Sequence, residues 1–150
     1  MKKILLIALV AVLGASTAFT VSAQHKSTQK IHSVATGHAH ASAVTELRND
    51  NQIRPNMRVK RLTILDFNAT WCGPCKQFHP AFNEAANKYG KKVDFISIDI
   101  DRNPQTARAF GVQSIPTVIF IYPNGRSKKY VGTQDLLPTQ RFLDLVRKSM

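Results

Sequence analysis

The chain has 150 residues, 43% hydrophobic and 20% charged, with 7 Gly and 7 Pro: the balance of one globular domain, not of a disordered, collagen-like or many-spanning membrane protein. Two cysteines are too few for a disulfide-stapled miniature scaffold or a four-cysteine zinc site. A formal charge of +12 admits nucleic acid or an anionic surface as a neighbour, but the basic residues are scattered (Lys91-Lys92, Arg126, Lys128-Lys129, Arg147-Lys148) and lack the interleaved aromatics of a stacking platform. No nucleic-acid partner is expected, and the excess reads as a solvated surface.

The first 23 residues follow the order of a secretory signal peptide: cationic Met1-Lys2-Lys3, an apolar run from Ile4 to Leu13, and compact Val21-Ser22-Ala23 at the cleavage point. A membrane anchor needs about 20 apolar residues, and Gly14, Ser16 and Thr17 interrupt this run. Cleavage after Ala23 leaves a periplasmic or secreted chain that starts at Gln24 and carries a formal +10. Residues 24–42 hold four His among Ser and Thr with few large apolar side chains, too little to offset the entropy of ordering, and read as a flexible linker. His38 and His40 have no carboxylate or thiolate beside them and make a poor metal site.

Residues 43–150 carry the domain. Leu62 to Phe67, Val93 to Ile100 and Thr117 to Tyr122 are β-branched and aromatic and predict central strands. Between the first two, Phe78, Phe82, Ala85, Ala86 and Tyr89 recur at helical spacing, with a kink expected at Pro80. Between the second pair, Asn103-Pro104 predicts an N-cap and first helical residue, and Gly111 the end of that helix. Pro123-Asn124-Gly125 predicts a tight turn into an antiparallel partner, Arg126 to Val131, and Pro138 to Ser149 a closing amphipathic helix. The fold class is α/β: a mixed sheet with helices on both faces.

Cys72-Gly73-Pro74-Cys75 lies where the first central strand hands over to a helix. A sulfur at a helix N-terminus meets unpaired N–H groups and the positive end of the helix dipole, which favour its thiolate. Cys72 is therefore the expected nucleophile. Cys75 sits one turn further in and can attack the mixed disulfide that Cys72 forms, while Gly73 and Pro74 hold the two sulfurs in a constrained turn and tune the pair. A merely structural bridge across so short a loop removes little chain entropy. Cys72, Cys75 and His79 could instead be metal ligands, but a structural zinc site lacks its fourth donor, so no metal is expected and His79 reads as a surface helix residue able at most to tune Cys75 modestly. Asp66 falls inside a buried strand, where desolvation raises a carboxyl pKa, and is the candidate acid/base for Cys75 through a water. Pro116, at the start of the apolar strand, is compatible with a cis Ile115-Pro116 bond.

From about Val44 onward these residues resemble thioredoxin: the WCGPC box with Lys76 and Pro80, Asp66-Phe67, Asp101 with Asn103-Pro104, Gly111, Ser114-Ile115-Pro116-Thr117, Asn124-Gly125 and Val131-Gly132. The resemblance implies that Cys72 attacks, Cys75 resolves, Asp66 is the buried acid/base, and Pro116 is cis opposite the dithiol. It also implies a substrate groove of Trp71, Ile115, Pro116, Val131 and Gly132. Two positions depart from the pattern: Asn68 replaces a frequent aromatic, and Ser97 a buried lysine that often partners the acid. Losing that cation is expected to push the Asp66 pKa higher still.

The reading is an extracytoplasmic thiol-disulfide oxidoreductase that reduces protein disulfides as a monomer, needs no bound cofactor, and is recharged by a membrane electron donor. Net oxidation or isomerisation is the first alternative, since direction follows the potential of the pair against its compartment; Gly73-Pro74 resembles the reducing members. A reductant for cytochrome c maturation is a second. A metal-binding module or metallochaperone using Cys72, Cys75 and His79 is the alternative from another class.

Overall fold

A 17-residue helix and two shorter ones close over a five-stranded sheet in the computed structural model, which describes residues 43–150. The signal peptide expected over 1–23 and the linker over 24–42 lie outside the described residues. In chain order the elements are β1 (Val44–Glu46), β2 (Thr63–Asn68), α1 (Gly73–Tyr89), β3 (Asp94–Asp99), α2 (Pro104–Ala109), β4 (Thr117–Ile121), β5 (Ser127–Val131) and α3 (Thr139–Ser149). The sheet order is β1-β3-β2-β4-β5, with β1 and β2 parallel to β3, and β4 antiparallel to both β2 and β5. This is the mixed sheet expected from the sequence, with each predicted strand and helix present to within one or two residues.

Strand alternation divides the interior. On β2, Ile64 joins Phe78, Phe82, Phe95, Phe120 and Phe142 in the core beneath α1 and α3, while Leu65 and Phe67 join Ile98, Ala107, Ile119 and Ile121 on the face that α2 covers. Both faces of β2 and β4 are buried, so their sequences read as continuous apolar runs and not as alternation. On β5 only Tyr130 is buried; exposed Lys128 and Lys129 blunt this sheet edge against pairing with another chain.

Several local features add to or correct the sequence reading. The sequence reading contains no β1, because three residues are too short for a period, and pairing with β3 in the register Val44↔Phe95 to Glu46↔Ser97 makes them a strand. Asn103 makes no side-chain cap to α2; its amide is turned inward, donating to the carbonyls of Leu47 (3.2 Å) and Asp99 (3.0 Å). The cap comes from Asp50, whose carboxylate accepts from the backbone N–H of Gln105 (2.9 Å) and Thr106 (2.8 Å). In the β4–β5 turn the positive φ falls on Gly125 alone, at +81°, while Asn124 Oδ1 accepts from the Arg126 N–H at 3.0 Å. The helix α1 continues through Pro80 for nine further residues, to Tyr89.

Candidate active site

β2 ends at Asn68, and four residues later Cys72 stands as the N-cap of α1, with extended backbone at φ −78° and ψ 108°. The turn is closed by the Cys72 N–H donating to the Ala69 carbonyl at 3.1 Å. Pro74 occupies the first turn of the helix, where its missing N–H has no partner to lose. The Cys75 N–H donates to Cys72 Sγ at 3.1 Å, so the sulfur takes the place a hydroxyl or carboxylate oxygen has in an ordinary cap. No acidic residue lies in the first turn to compete for the positive helix end. Cys72 and Cys75 are joined in a disulfide with Cα atoms 5.3 Å apart. Cys72 keeps 4% of its surface exposed and Cys75 none, and both pack with Ala69, Ile100 and Ile115.

The predicted groove residues gather around this pair. Ile115-Pro116 is cis, Ile115 packs against the cysteine cluster, and the Pro116 carbonyl accepts from the Gly132 N–H at 2.8 Å, one residue beyond the Thr117↔Val131 pair. Gly132 has φ +76°, a conformation open to glycine at no steric cost. Trp71 and Val131 are 65% and 54% exposed, the two large apolar side chains that this part of the surface leaves in water. The Trp71 indole N–H donates to Asp101 Oδ2 at 2.8 Å, which fixes the ring beside Cys72.

Asp66 is wholly buried on the central strand, opposite Ser97 of β3 and Val118 of β4. Two residues from Ile64, its side chain points to the α1 side of the sheet. Burial raises its pKa to about 7, against the opposing effect of a hydrogen bond from Asn68. Both departures noted in the sequence meet at this acid: Asn68 Nδ2 donates to Asp66 Oδ2 (3.3 Å) and to Ser97 Oγ (2.8 Å). Oδ1 has no hydrogen-bond partner among the described residues, and the carboxyl lines a cleft of about 810 Å³ together with Phe82, Ser97 and His79.

His79 lies on α1 and is partly exposed, as the sequence predicts, but it also reaches Asp66. Its side chain is 40% exposed, yet Nε2 is buried and lies 3.7 Å from Asp66 Oδ2. The available signal was its spacing: four residues after Cys75, it shares that cysteine's helix face. Among the described residues no group of three or more His, Cys, Asp or Glu is placed to hold an ion.

A sulfur pair capping a helix, set at the end of a central strand and beside a cis proline, defines a thiol-disulfide oxidoreductase. The thioredoxin family pattern matches residues 43–144, and the chain belongs to that family. It is 40% identical to the thioredoxin of Borreliella burgdorferi over 89 residues, covering 59% of this chain and 74% of that protein. With the thioredoxin of Staphylococcus haemolyticus it shares 36% identity over 107 residues, 71% of this chain and 95% of that protein. Among solved structures it resembles the Malassezia sympodialis thioredoxin (TM-score 0.59, 28% identity, 71% of this chain and 90% of that one). It also resembles the reduced thioredoxin pre-protein of Schistosoma mansoni (TM-score 0.56, 31% identity, 71% of this chain and 98% of that one).

Proposed function

We propose that the chain works outside the cytoplasm as a reductant of protein disulfides, with Cys72 as the attacking thiolate, Cys75 as the resolving thiol and Asp66 as its acid/base. The observation that carries this reading is the asymmetry of the pair. Cys72 caps the helix, receives an N–H at its sulfur and keeps some exposure, whereas Cys75 is fully enclosed. In the reduced protein the Cys72 thiolate attacks one sulfur of a substrate disulfide, and the other sulfur leaves as a thiol after taking a proton from water. Cys75 gives its proton to the Asp66 carboxylate and attacks Cys72 Sγ, which breaks the mixed disulfide and releases the second substrate sulfur as a thiolate that takes a proton from water. Two electrons pass to the substrate and the Cys72–Cys75 bond is restored. Substrate backbone lies along the groove of Trp71, Ile115, Pro116, Val131 and Gly132, of which Trp71 and Val131 are the exposed members.

Export rests on the order of charged, apolar and compact residues over 1–23. An exported member has no cytoplasmic reductase within reach, so a membrane electron donor recharges it, and the exchange itself needs only the two sulfurs. Gly73-Pro74 between the cysteines supports reduction over net oxidation. The equilibrium potential of the pair tests direction: a value near about −270 mV supports a reductant, and one near about −120 mV makes the protein an oxidant. Dithiol-driven reduction of a model protein disulfide by the wild type, lost in Cys72→Ser, tests the activity. Stoichiometric zinc or copper binding by the reduced protein, abolished by His79→Ala, would favour the metal-binding alternative.

A further inference from the structure

Two adjoining clefts, of about 810 and 440 Å³, share Glu46, His79 and Ser97, and the larger one reaches Asp66. Among the described residues, His79 is the one side chain able to take up a positive charge within 4 Å of the Asp66 carboxyl. Its imidazole spans the boundary: Nε2 is buried against Asp66 without a hydrogen bond, while 40% of the side chain meets solvent. The separation of 3.7 Å closes to a hydrogen bond with a shift of a few tenths of an ångström, the looseness common in a resting site. Because His79 follows Cys75 by four residues on α1, the acid, the imidazole and the resolving sulfur belong to one face of the helix and the strand beneath it.

We propose that His79 is the positioning residue of the resolving step: it shares one proton with Asp66, keeps the carboxylate available to Cys75, and passes the surplus proton to the cleft. This rests on the reading of Asp66 as the base for Cys75. Before the step the pair holds one proton, which burial keeps on Asp66, and its transfer across the 3.7 Å gap to Nε2 frees the carboxylate. Cys75 delivers its proton to Asp66 as the Cys75–Cys72 bond forms and the Cys72–substrate bond breaks. The pair then holds two protons, and the exposed imidazolium gives one to cleft water.

Burial lowers the pKa of His79 and raises that of Asp66 to about 7, so the resting proton stays on the acid and the imidazole is free to take it up. Two such groups titrate as a pair. The other charged groups on the two clefts are Glu46 and Asp99, which favour the imidazolium, and Arg48, Lys76 and Arg102, which oppose it. None of these has an ion-pair contact with Asp66. In this chain the helix thus supplies, from the side, the titratable partner that Ser97 does not supply from β3.

The test is the pH profile of the resolving step, measured as release of the second substrate thiol in a single turnover of the reduced protein. His79→Ala leaves Asp66 without its partner and moves the half-point of the profile up by about one pH unit, so that release slows about tenfold a unit below the wild-type half-point and is unchanged on the alkaline plateau. His79→Lys, a fixed cation, moves the half-point down. If both variants superimpose on the wild type while Asp66→Asn abolishes the profile, His79 is an ordinary helix residue and the Asp66 reading survives. If Asp66→Asn leaves the profile intact, the Asp66 reading fails and this inference fails with it.

Discussion

Asp66 is a carboxyl on the middle strand of a sheet, and it makes the fold pH-sensitive whatever its chemical role. Its pKa is about 7 in the folded chain, against an ordinary value of 3.8, so the native state holds the proton more tightly than the unfolded one. The resulting stabilisation is complete below the unfolded pKa and is lost as pH rises through about 7. Asp66→Asn removes that dependence. Its stability relative to the wild type is therefore predicted to improve between pH 4 and pH 8, by at most about 4 kcal/mol. Urea unfolding of both proteins at the two pH values measures this, and a constant difference would show that the carboxyl is not desolvated. Asp66 was legible in the sequence because an acid inside an apolar run is conspicuous. For His79 the spacing from Cys75 was legible but the approach to Asp66 was not, since the strand that faces a helix is not given by its sequence.

At the scale of elements, α2 illustrates a cap supplied across the chain. Asn103 stands in the right position for a cap, but its amide serves the Leu47 and Asp99 carbonyls, and Asp50 caps the helix instead. Burial pulls the Asp50 pKa up, but hydrogen bonds from the Thr106 hydroxyl and from the N–H groups of Gln105, Thr106 and Asn51 overcome it and hold the carboxyl at about 2. Asp50→Ala is predicted to lower Tm and to speed amide exchange in Gln105 to Ala109, an effect present above the ordinary carboxylate pKa and lost as pH falls through about 2. Unchanged exchange would mean that the helix stands without this cap. On the opposite face, Phe142 of α3 meets Phe78 at 4.9 Å, Phe82 at 6.1 Å and Phe120 at 6.3 Å between ring centroids. It is fully buried, and Phe142→Ala is predicted to destabilise the fold by about 3–5 kcal/mol in denaturant unfolding. The periodicity of this last helix was readable; which rings it meets was not, because sequence spacing says nothing about the partner across a core.

At the scale of the molecule, composition and spacing carried the class of fold. Two faces of β2 and β4 are buried, and buried strands announce themselves as apolar runs. The same reading could not see β1, whose pairing with β3 is a tertiary event. The cysteine pair was legible because a strand-to-helix boundary gives it chemical meaning: N–H groups and the helix dipole are there to receive a thiolate. The charge of +12 has less to say; Lys128 and Lys129 protect an edge strand, and Lys2 and Lys3 belong to the segment expected to be cleaved.

The division of labour between Cys72 and Cys75 is the claim on which the proposed function stands, and a trapping experiment addresses it most directly. The purified reduced Cys75→Ser protein, mixed with a disulfide-bonded protein substrate, is predicted to accumulate a covalent mixed disulfide through Cys72 that a small dithiol dissolves, with the Cys72→Ser protein forming none. An adduct through Cys75 in the Cys72→Ser protein, with no adduct in its counterpart, would contradict the assignment.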